Sequence, residues 1–361
     1  MVKDLRKQLL EILNAQVQNR GIAGVAVALN PSTQPESVWY DSATVDEPIF
    51  LAYSITKTFS AAMLLLLQED GQLSLEDSLA RWFPEIAQAD CISLRQLLNH
   101  TAGIPDYGSL QAYHDSVRSY PSTPWTFEQF AAVTFEQGLC FTPGTSWAYS
   151  NPGYMLLKRI AEVVSGISYR ELIFKYIIQP LGLSQTFVPE SIEELSSLAP
   201  ATSRALAVDK TTRDVRQYYH PGWVSHGVIA STPSEIVMFL NSLFSNRLLS
   251  PQSLKQMVEL VPIAPQTSTN ISTQQPTLPW LKPSYGLGLM GDPASKWGLV
   301  LGHNGGGPGY SASAFHAPEL GGISICAMCA IEEGIKAEEI VFTVLDLFKS
   351  TKEIAVHDLQ I

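Results

Sequence analysis

Apolar residues recur along the chain at two periods, and the change of period organises it. Residues 4–16 (DLRKQLLEILNAQ) alternate charged with apolar side chains at helical spacing, which predicts an amphipathic helix. GIAGVAVALN and ESVWY read as two strands joined by a turn-rich PSTQP segment. A short strand, PIFLAY, leads into Ser54. Residues 55–68 are apolar on nearly every side, the mark of a buried helix, and Gly71 is placed to end it. Lysine is an unusual residue for such a helix, and Lys57 sits inside it.

From about residue 73 to 183 the periodicity is mainly helical (SLEDSLARWF, SLRQLLNH, TFEQFAAVTFEQG, YMLLKRIAEVVSG, YRELIFKYIIQPLG), broken by loops with Gly and Pro. After an irregular RQYYHPGW stretch, STPSEIVMFLNSLFSN reads as a helix capped by Ser231 or Thr232, and residues 262–283 as a polar loop. WGLVLGH, YSASAFHAP and GGISICAMCAI have strand character, and a helix over residues 335–349 follows. Strands near both ends with helices between them predict an α/β fold. Its mainly antiparallel sheet, from residues 1–68 and 226–361, is flanked by the N- and C-terminal helices, with a mostly helical subdomain (residues 69–225) inserted.

Composition narrows the function classes. With 361 residues, 45% apolar and 16% charged, the chain can bury a large core, which excludes global disorder. A formal net charge of -11 offers no basic footprint for nucleic acid. The longest apolar run, residues 61–67, is far short of the ~20 residues of a membrane-spanning helix. The N-terminus lacks the basic start, apolar block and cleavage site of an export signal, so the chain as given reads as cytoplasmic; periplasmic or extracellular residence would require a signal already removed. Cys91, Cys140, Cys326 and Cys329 are too few and scattered for a disulfide framework. Cys326 and Cys329 lie in a strand-like run, where residues three apart point to opposite faces, so buried reduced thiols are expected rather than a metal or redox pair.

Three short motifs carry chemistry, and the junction of the two subdomains is where they would meet. Ser54 and Lys57, three apart at a helix start, share one face, so hydroxyl and amine can come within hydrogen-bonding reach. The helix N-terminus favours a hydroxyl losing its proton, and desolvation favours a neutral lysine that can accept it. By itself a Ser-x-x-Lys match arises on the order of once by chance in such a chain, and a capping serine with a snorkelling lysine is the plain alternative. Tyr149-Ser150-Asn151 precedes a helix expected near residue 154; the phenol could relay a proton and the Asn151 amide hold a substrate carbonyl, while an Asn-Pro turn with a packed tyrosine is the alternative. His303-Asn304-Gly305-Gly306-Gly307 ends a strand, where small residues allow close approach of substrate and backbone N–H groups can face an oxyanion; a flexible glycine turn is the alternative. A phosphate cradle is excluded by context, since no helix N-terminus or lysine follows.

Together these residues resemble the serine β-lactamase, penicillin-binding protein and related esterase superfamily, whose members share Ser-x-x-Lys, Tyr-x-Asn or Ser-x-Asn, and Lys-Thr-Gly or His-x-Gly in that order. Tyr149 in the second motif is similar to the class C β-lactamase and D-alanyl-D-alanine carboxypeptidase branch. So are the flanking segments GQLSLEDSLARWFPE, ISLRQLLNHTAGIP, FTPGTSWAYSNPGYMLL, HGVIASTPSEI and GHNGGGPGY. The resemblance implies a β-lactamase/transpeptidase-like fold and an acyl-enzyme mechanism. Ser54 would attack, Lys57 and Tyr149 manage the proton, and Asn151, His303, Gly305 and Gly306 bind substrate, with an oxyanion hole from the backbone N–H groups of Ser54 and Gly306. No metal or organic cofactor is required. The expected partner is a small-molecule or peptide-like acyl substrate, with β-lactams as candidate covalent ligands. No Gly-x-Ser-x-Gly match supports the different nucleophile elbow of α/β-hydrolases.

His303 stands where typical β-lactamases carry lysine. An imidazole with a pKa near ~6.5 is mostly neutral at physiological pH, so carboxylate recognition should weaken and a peptidase or esterase is expected over an efficient antibiotic hydrolase. A class C-type β-lactamase and a non-catalytic ligand-sensing scaffold remain as alternatives. His100, Tyr107, Tyr218, Tyr219 and His220 would line the cleft or simply pack, and His226 and Gly227 would border the site, with structural support as their expected role.

Overall fold

Alternating residues in the last third of the chain and a hairpin near its start build one eight-stranded sheet, antiparallel throughout. The computed structural model describes residues 2–17, 21–29, 34–40, 46–263, 280–331 and 337–358. The strands are β1 (Ile22–Ala28), β2 (Glu36–Tyr40), β3 (Val261–Pro262), β4 (Ser284–Tyr285), β5 (Met290–Ser295), β6 (Gly298–Gly307), β7 (Tyr310–Ala317) and β8 (Ile323–Ala330). Their spatial order is β2-β1-β8-β7-β6-β5-β4-β3, so the hairpin from the start of the chain completes the sheet beside the last strand. Val25 lies opposite Ala327, and Ala327 opposite Ser313. All eight residues of β8 are buried, which explains its unbroken apolar run: it is covered on both faces.

Helices α1 (Val2–Val17) and α5 (Ala337–Asp358) cover one face, where Leu5, Leu9 and Leu13 meet Val25, Ile325, Ile340 and Val344. Spacing of four along α1 puts those leucines on a single stripe. Helix α4 (Pro233–Phe244) covers the other face against β1, β7 and β8, and α2 (Thr56–Glu69) packs behind it. Cys326 belongs to the α2 and α4 side of the sheet and Cys329 to the α1 and α5 side, so the two thiols diverge as their spacing predicts. Both are buried and free, and burial pushes the Cys329 thiol up to about 12.

Several expected boundaries move. PIFLAY is strand only at Phe50–Leu51, paired with Ala230–Ser231, because the chain must turn sharply into Ser54. Helix α3 (Asn151–Ser165) begins three residues earlier than expected: Pro152 fits its first turn and the Ser150 hydroxyl caps the Gly153 N–H. SLEDSLARWF forms only a short 3-10 turn at Leu79–Arg81, since Ser74 and Asp77 close a local turn and Pro84 follows. The YRELIFKYIIQPLG segment is helical at Tyr169–Ile173 and Gln179–Leu181, with a wider π turn between them. Much of the PSTQP turn and of the loop expected over residues 262–283 lies outside the described residues, as do residues 335 and 336 at the start of the last expected helix. Among the described residues no helix is long and apolar enough to cross a membrane.

Helix α2 is buried on nearly every side from Thr56 to Leu67, and its polar side chains are satisfied inside the protein. Thr58 donates to the Gly288 carbonyl at 2.7 Å, Ser60 pairs with the Tyr169 phenol at 2.7 Å, and Thr56 accepts from Ile229 N–H at 2.9 Å. Gly71, at φ +69°, turns the chain after the helix in the left-handed region that disfavours other residues. Phe59 stacks on Phe239 of α4 with centroids 3.7 Å apart, tying α2 to the sheet. Phe239→Ala is therefore expected to cost about 3–5 kcal/mol in urea denaturation, because both rings are fully buried and little can collapse into the gap.

Candidate active site

Ser54 lies in a 3-10 turn, Tyr53–Ile55, that runs into α2. Tyr53 has φ +44°, a conformation costly for a residue with a side chain, and its phenol donates to the Pro308 carbonyl at 2.7 Å. The turn lifts Ser54 to the mouth of a cavity and leaves its hydroxyl uncommitted to capping, since neither Ala52 nor Ile55 at the helix entrances receives a side-chain cap. The plain alternative of a capping serine and a snorkelling lysine does not describe this geometry. Lys57 is 0% exposed, and its ammonium turns inward to three partners: Ser54 Oγ at 3.1 Å, Asn151 Oδ1 at 2.8 Å and His226 Nε2 at 2.8 Å. Burial lowers the Lys57 pKa to about 7, with the Asp106 carboxylate opposing that shift.

Tyr149 donates to Ser54 Oγ at 2.8 Å from the other side, and Lys57 Nζ lies 4.8 Å from the centre of its ring. Burial raises the phenol well above its ordinary value, more than the Ser54 hydrogen bond lowers it, so Tyr149 is neutral at physiological pH. His100 holds the Tyr149 segment in place: its Nδ1 accepts from Ser150 N–H at 3.2 Å, its carbonyl accepts from Ala148 N–H, and its ring packs 4.5 Å from that of Tyr149. The packing role is the one the sequence favours for this histidine.

Asn151 is more committed than its motif implies. Its carbonyl oxygen takes Lys57, while its N–H and side-chain amide reach Asp106 at 2.9 and 3.4 Å. The side chain thus orients the lysine, although it also borders the cavity. His303 lies behind the cavity. It is 2% exposed, accepts from the Tyr285 phenol through Nε2 at 2.8 Å and donates through Nδ1 to the Asn304 carbonyl at 2.5 Å. Burial, and then the nearby Lys57 charge, bring its pKa down to about 3, so the imidazole is neutral over the whole working range rather than only mostly so.

The glycines divide into two roles. A Cβ on Gly305 would lie 2.1 Å from the Ala52 carbonyl oxygen, so Gly305 lets β6 pack directly on the turn that carries Ser54. A Cβ on Gly306 would meet nothing within 4 Å, and Gly306 faces the cavity with Gly307. The motif lies within β6, not on a flexible turn. The cavity, about 340 Å³, is walled beyond Ser54 by Tyr53, Tyr107, Tyr113, Tyr219 and Val224. Of the aromatic residues left open by the sequence, Tyr107 and Tyr219 reach it, whereas Tyr218 and His220 are not among its lining residues.

One site residue escapes sequence reasoning: Asp106, in HTAGIPD, carried no reading from the sequence, and its grip on Asn151 is a contact 45 residues away. His226, expected to border the site in a supporting role, does line the cavity and lies directly against Lys57 across 169 residues.

A serine on a 3-10 turn, an i+3 lysine, a tyrosine just before α3 and a glycine-lined strand are brought together on this antiparallel sheet, and the fold is that of the β-lactamase/transpeptidase structures. Residues 9–345 match the family described as Beta-lactamase, and the chain belongs to that family. It is 29% identical over 275 residues to penicillin-binding protein 4* of Bacillus subtilis (strain 168), a match covering 73% of this chain and 56% of that protein. The chain spans about half the length of the curated relatives it matches. Among solved structures it is similar to a D-stereospecific amidohydrolase from Streptomyces sp., with a TM-score of 0.79, 28% identity and coverage of 93% of this chain and 97% of that one. It is similar also to the D-amino acid amidase from Ochrobactrum anthropi SV3 complexed with L-phenylalanine, at TM-score 0.79, 25% identity and coverage of 97% and 99%.

Gly305→Ala is expected to slow modification of Ser54 by an acylating probe by at least ~10-fold with the fold retained by circular dichroism, because displacing the strand moves the reacting groups by fractions of an ångström to an ångström. Gly306→Ala, with open space around it, is expected to leave thermal stability unchanged in the same comparison.

Proposed function

We propose that this protein is a serine hydrolase that forms an acyl-enzyme at Ser54 and cleaves amides or esters of small acyl groups, as a D-alanyl carboxypeptidase or D-peptidase, or a small-ester esterase. The observation that carries this reading is the placement of Ser54 Oγ between Lys57 Nζ at 3.1 Å and Tyr149 OH at 2.8 Å. Lysine is the base in the resting site: with a pKa of about 7 a large fraction is neutral at neutral pH, whereas the phenol of Tyr149 is held protonated. Ser54 gives its proton to Lys57 as Oγ bonds to the carbonyl carbon. The Ser54 and Gly306 N–H groups receive the oxyanion, and Tyr149 passes a proton to the departing amine or alcohol, drawing its replacement from Lys57. Water then attacks the ester by the reverse route, releasing the acid and restoring Ser54.

The aromatic wall favours an apolar acyl side chain, and the neutral His303 leaves the third motif without a cation to hold a substrate carboxylate. The similar solved structures, a D-stereospecific amidohydrolase and a D-amino acid amidase, support the same substrate class. β-Lactams then serve as poor substrates or covalent traps.

The test is turnover of D-phenylalanine amide and a p-nitrophenyl ester, beside mass spectrometry of the intact protein after exposure to a penicillin, for the wild type and Ser54→Ala. Turnover or adduct should fall at least ~10³-fold in the variant. Because the base must be neutral to act, kcat/KM should rise as pH increases through about 7. Equal behaviour of wild type and variant would remove Ser54 as nucleophile, and cephalosporin turnover faster than that of ester or amide would overturn the substrate class.

A further inference from the structure

We infer that His226 is a positioning residue for Lys57: its Nε2 is a fixed hydrogen-bond acceptor that aims the lysine lone pair at Ser54 and holds the lysinium formed when Ser54 is deprotonated. This rests on the reading of Ser54 as nucleophile and Lys57 as base. His226 is 2% exposed and, among the described residues, its Nδ1 meets no partner and the ring's one hydrogen-bonding contact is the 2.8 Å approach to Lys57 Nζ. A buried imidazole kept for packing alone would leave both nitrogens costly; here one is committed to the reacting base.

The tetrahedral geometry of the lysine nitrogen gives the contact its consequence. Neutral Lys57 has two N–H donors and one lone pair. With Asn151 Oδ1 and His226 Nε2 as acceptors at 2.8 Å, both donors are used and the lone pair is left for the Ser54 hydroxyl. After proton transfer the ammonium has three donors and three acceptors: Asn151, His226 and Ser54. Without His226 one N–H of a fully buried side chain would lose its acceptor at the moment the charge forms.

The backbone fixes His226 in register with the nucleophile. On one side Ser225 pairs with the Tyr107 phenol at 2.9 Å. On the other, Ile229 N–H donates to Thr56 Oγ1 and the Ile229 carbonyl accepts from Ala52 N–H, so the same segment grips both ends of the turn bearing Ser54. The titratable groups around the pair are Asp106, Tyr149 and Tyr154 about Lys57, and Lys158, His303, His100 and Tyr154 about His226. Burial first, and the Lys57 charge next, keep His226 neutral, so it can accept but does not compete as a cation.

The experiment measures kcat/KM against pH for the wild type, His226→Leu, His226→Gln and His226→Asn, with thermal unfolding of each. Leucine fills the space without admitting water as a substitute acceptor. Loss of an acceptor from the charged form lowers the Lys57 pKa, so the acid limb should move to lower pH by roughly one unit and the plateau fall at least ~10-fold. Glutamine, whose oxygen reaches the Nε2 position, should restore much of the limb and plateau; asparagine, reaching only the Nδ1 position, should not. If the leucine variant does not fold, the glutamine and asparagine profiles decide alone. An unmoved limb in a folded His226→Leu, an upward shift, or equal profiles for glutamine and asparagine overturns the inference. The proposed mechanism is judged separately, since it falls only if Ser54→Ala retains activity or the wild type lacks the acid limb.

Discussion

Burial of one lysine is the constraint around which the site is arranged. An ammonium removed from water is tolerable only if its hydrogen bonds are met and its pKa is free to fall, and Lys57 satisfies both conditions. Each partner comes from a different part of the chain: Ser54 from the same turn, Asn151 from the start of α3, His226 from the segment before α4. Breaking the docking of α2 against α3 or α4 would therefore expose or orphan the base as well as reduce the core. Stability and chemistry share the same contacts here, which is why α2 is packed on nearly every side and why even its hydroxyl groups have assigned partners.

The elements most legible in the sequence were those whose pattern matched their surroundings over several turns or residues. The leucine stripe of α1, the all-round apolar run of α2 and the unbroken β8 each expose or hide the faces their spacing implies. Short elements were less legible because local chemistry competes with periodicity. The Ser74 and Asp77 turn stopped a helix that the apolar spacing favoured, and the Ser150 cap with Pro152 began one earlier. The site itself was legible as residue types in order, Ser54, Lys57 and Tyr149, and His226 as a residue at its border, whereas Asp106 and the contact of His226 with Lys57 were not. Those contacts span 45 and 169 residues, and neither forms a local pattern that sequence spacing can report.

The third motif shows how a matching residue type can differ in task. The family resemblance put His303 where typical β-lactamases carry lysine. Tyr285, the Asn304 carbonyl and burial instead make it a neutral element of the wall behind Tyr149. Gly305 likewise serves the approach of β6 to Ala52 rather than an approach by substrate, leaving Gly306 and Gly307 as the glycines at the cavity. The end of the strand thus contributes Gly306 and Gly307 to the cavity wall, and Tyr53, Tyr107, Tyr113 and Tyr219 supply its aromatic part.

The two candidate proton carriers are separated by the same burial acting on opposite charges. Desolvation penalises an ammonium and a phenolate alike, so it makes Lys57 easier to deprotonate and Tyr149 harder. On the proposed mechanism the lysine is thereby the acceptor and the tyrosine the donor, with Ser54 Oγ between them. In that mechanism a Lys57 that has taken the serine proton would carry its positive charge 4.8 Å from the centre of the Tyr149 ring, where it would favour transient loss of the phenolic proton to a leaving group. On that proposal the order of the two transfers follows from where the charge sits at each stage, with His100, His226 and His303 neutral, held below their ordinary values by burial and by that same lysine.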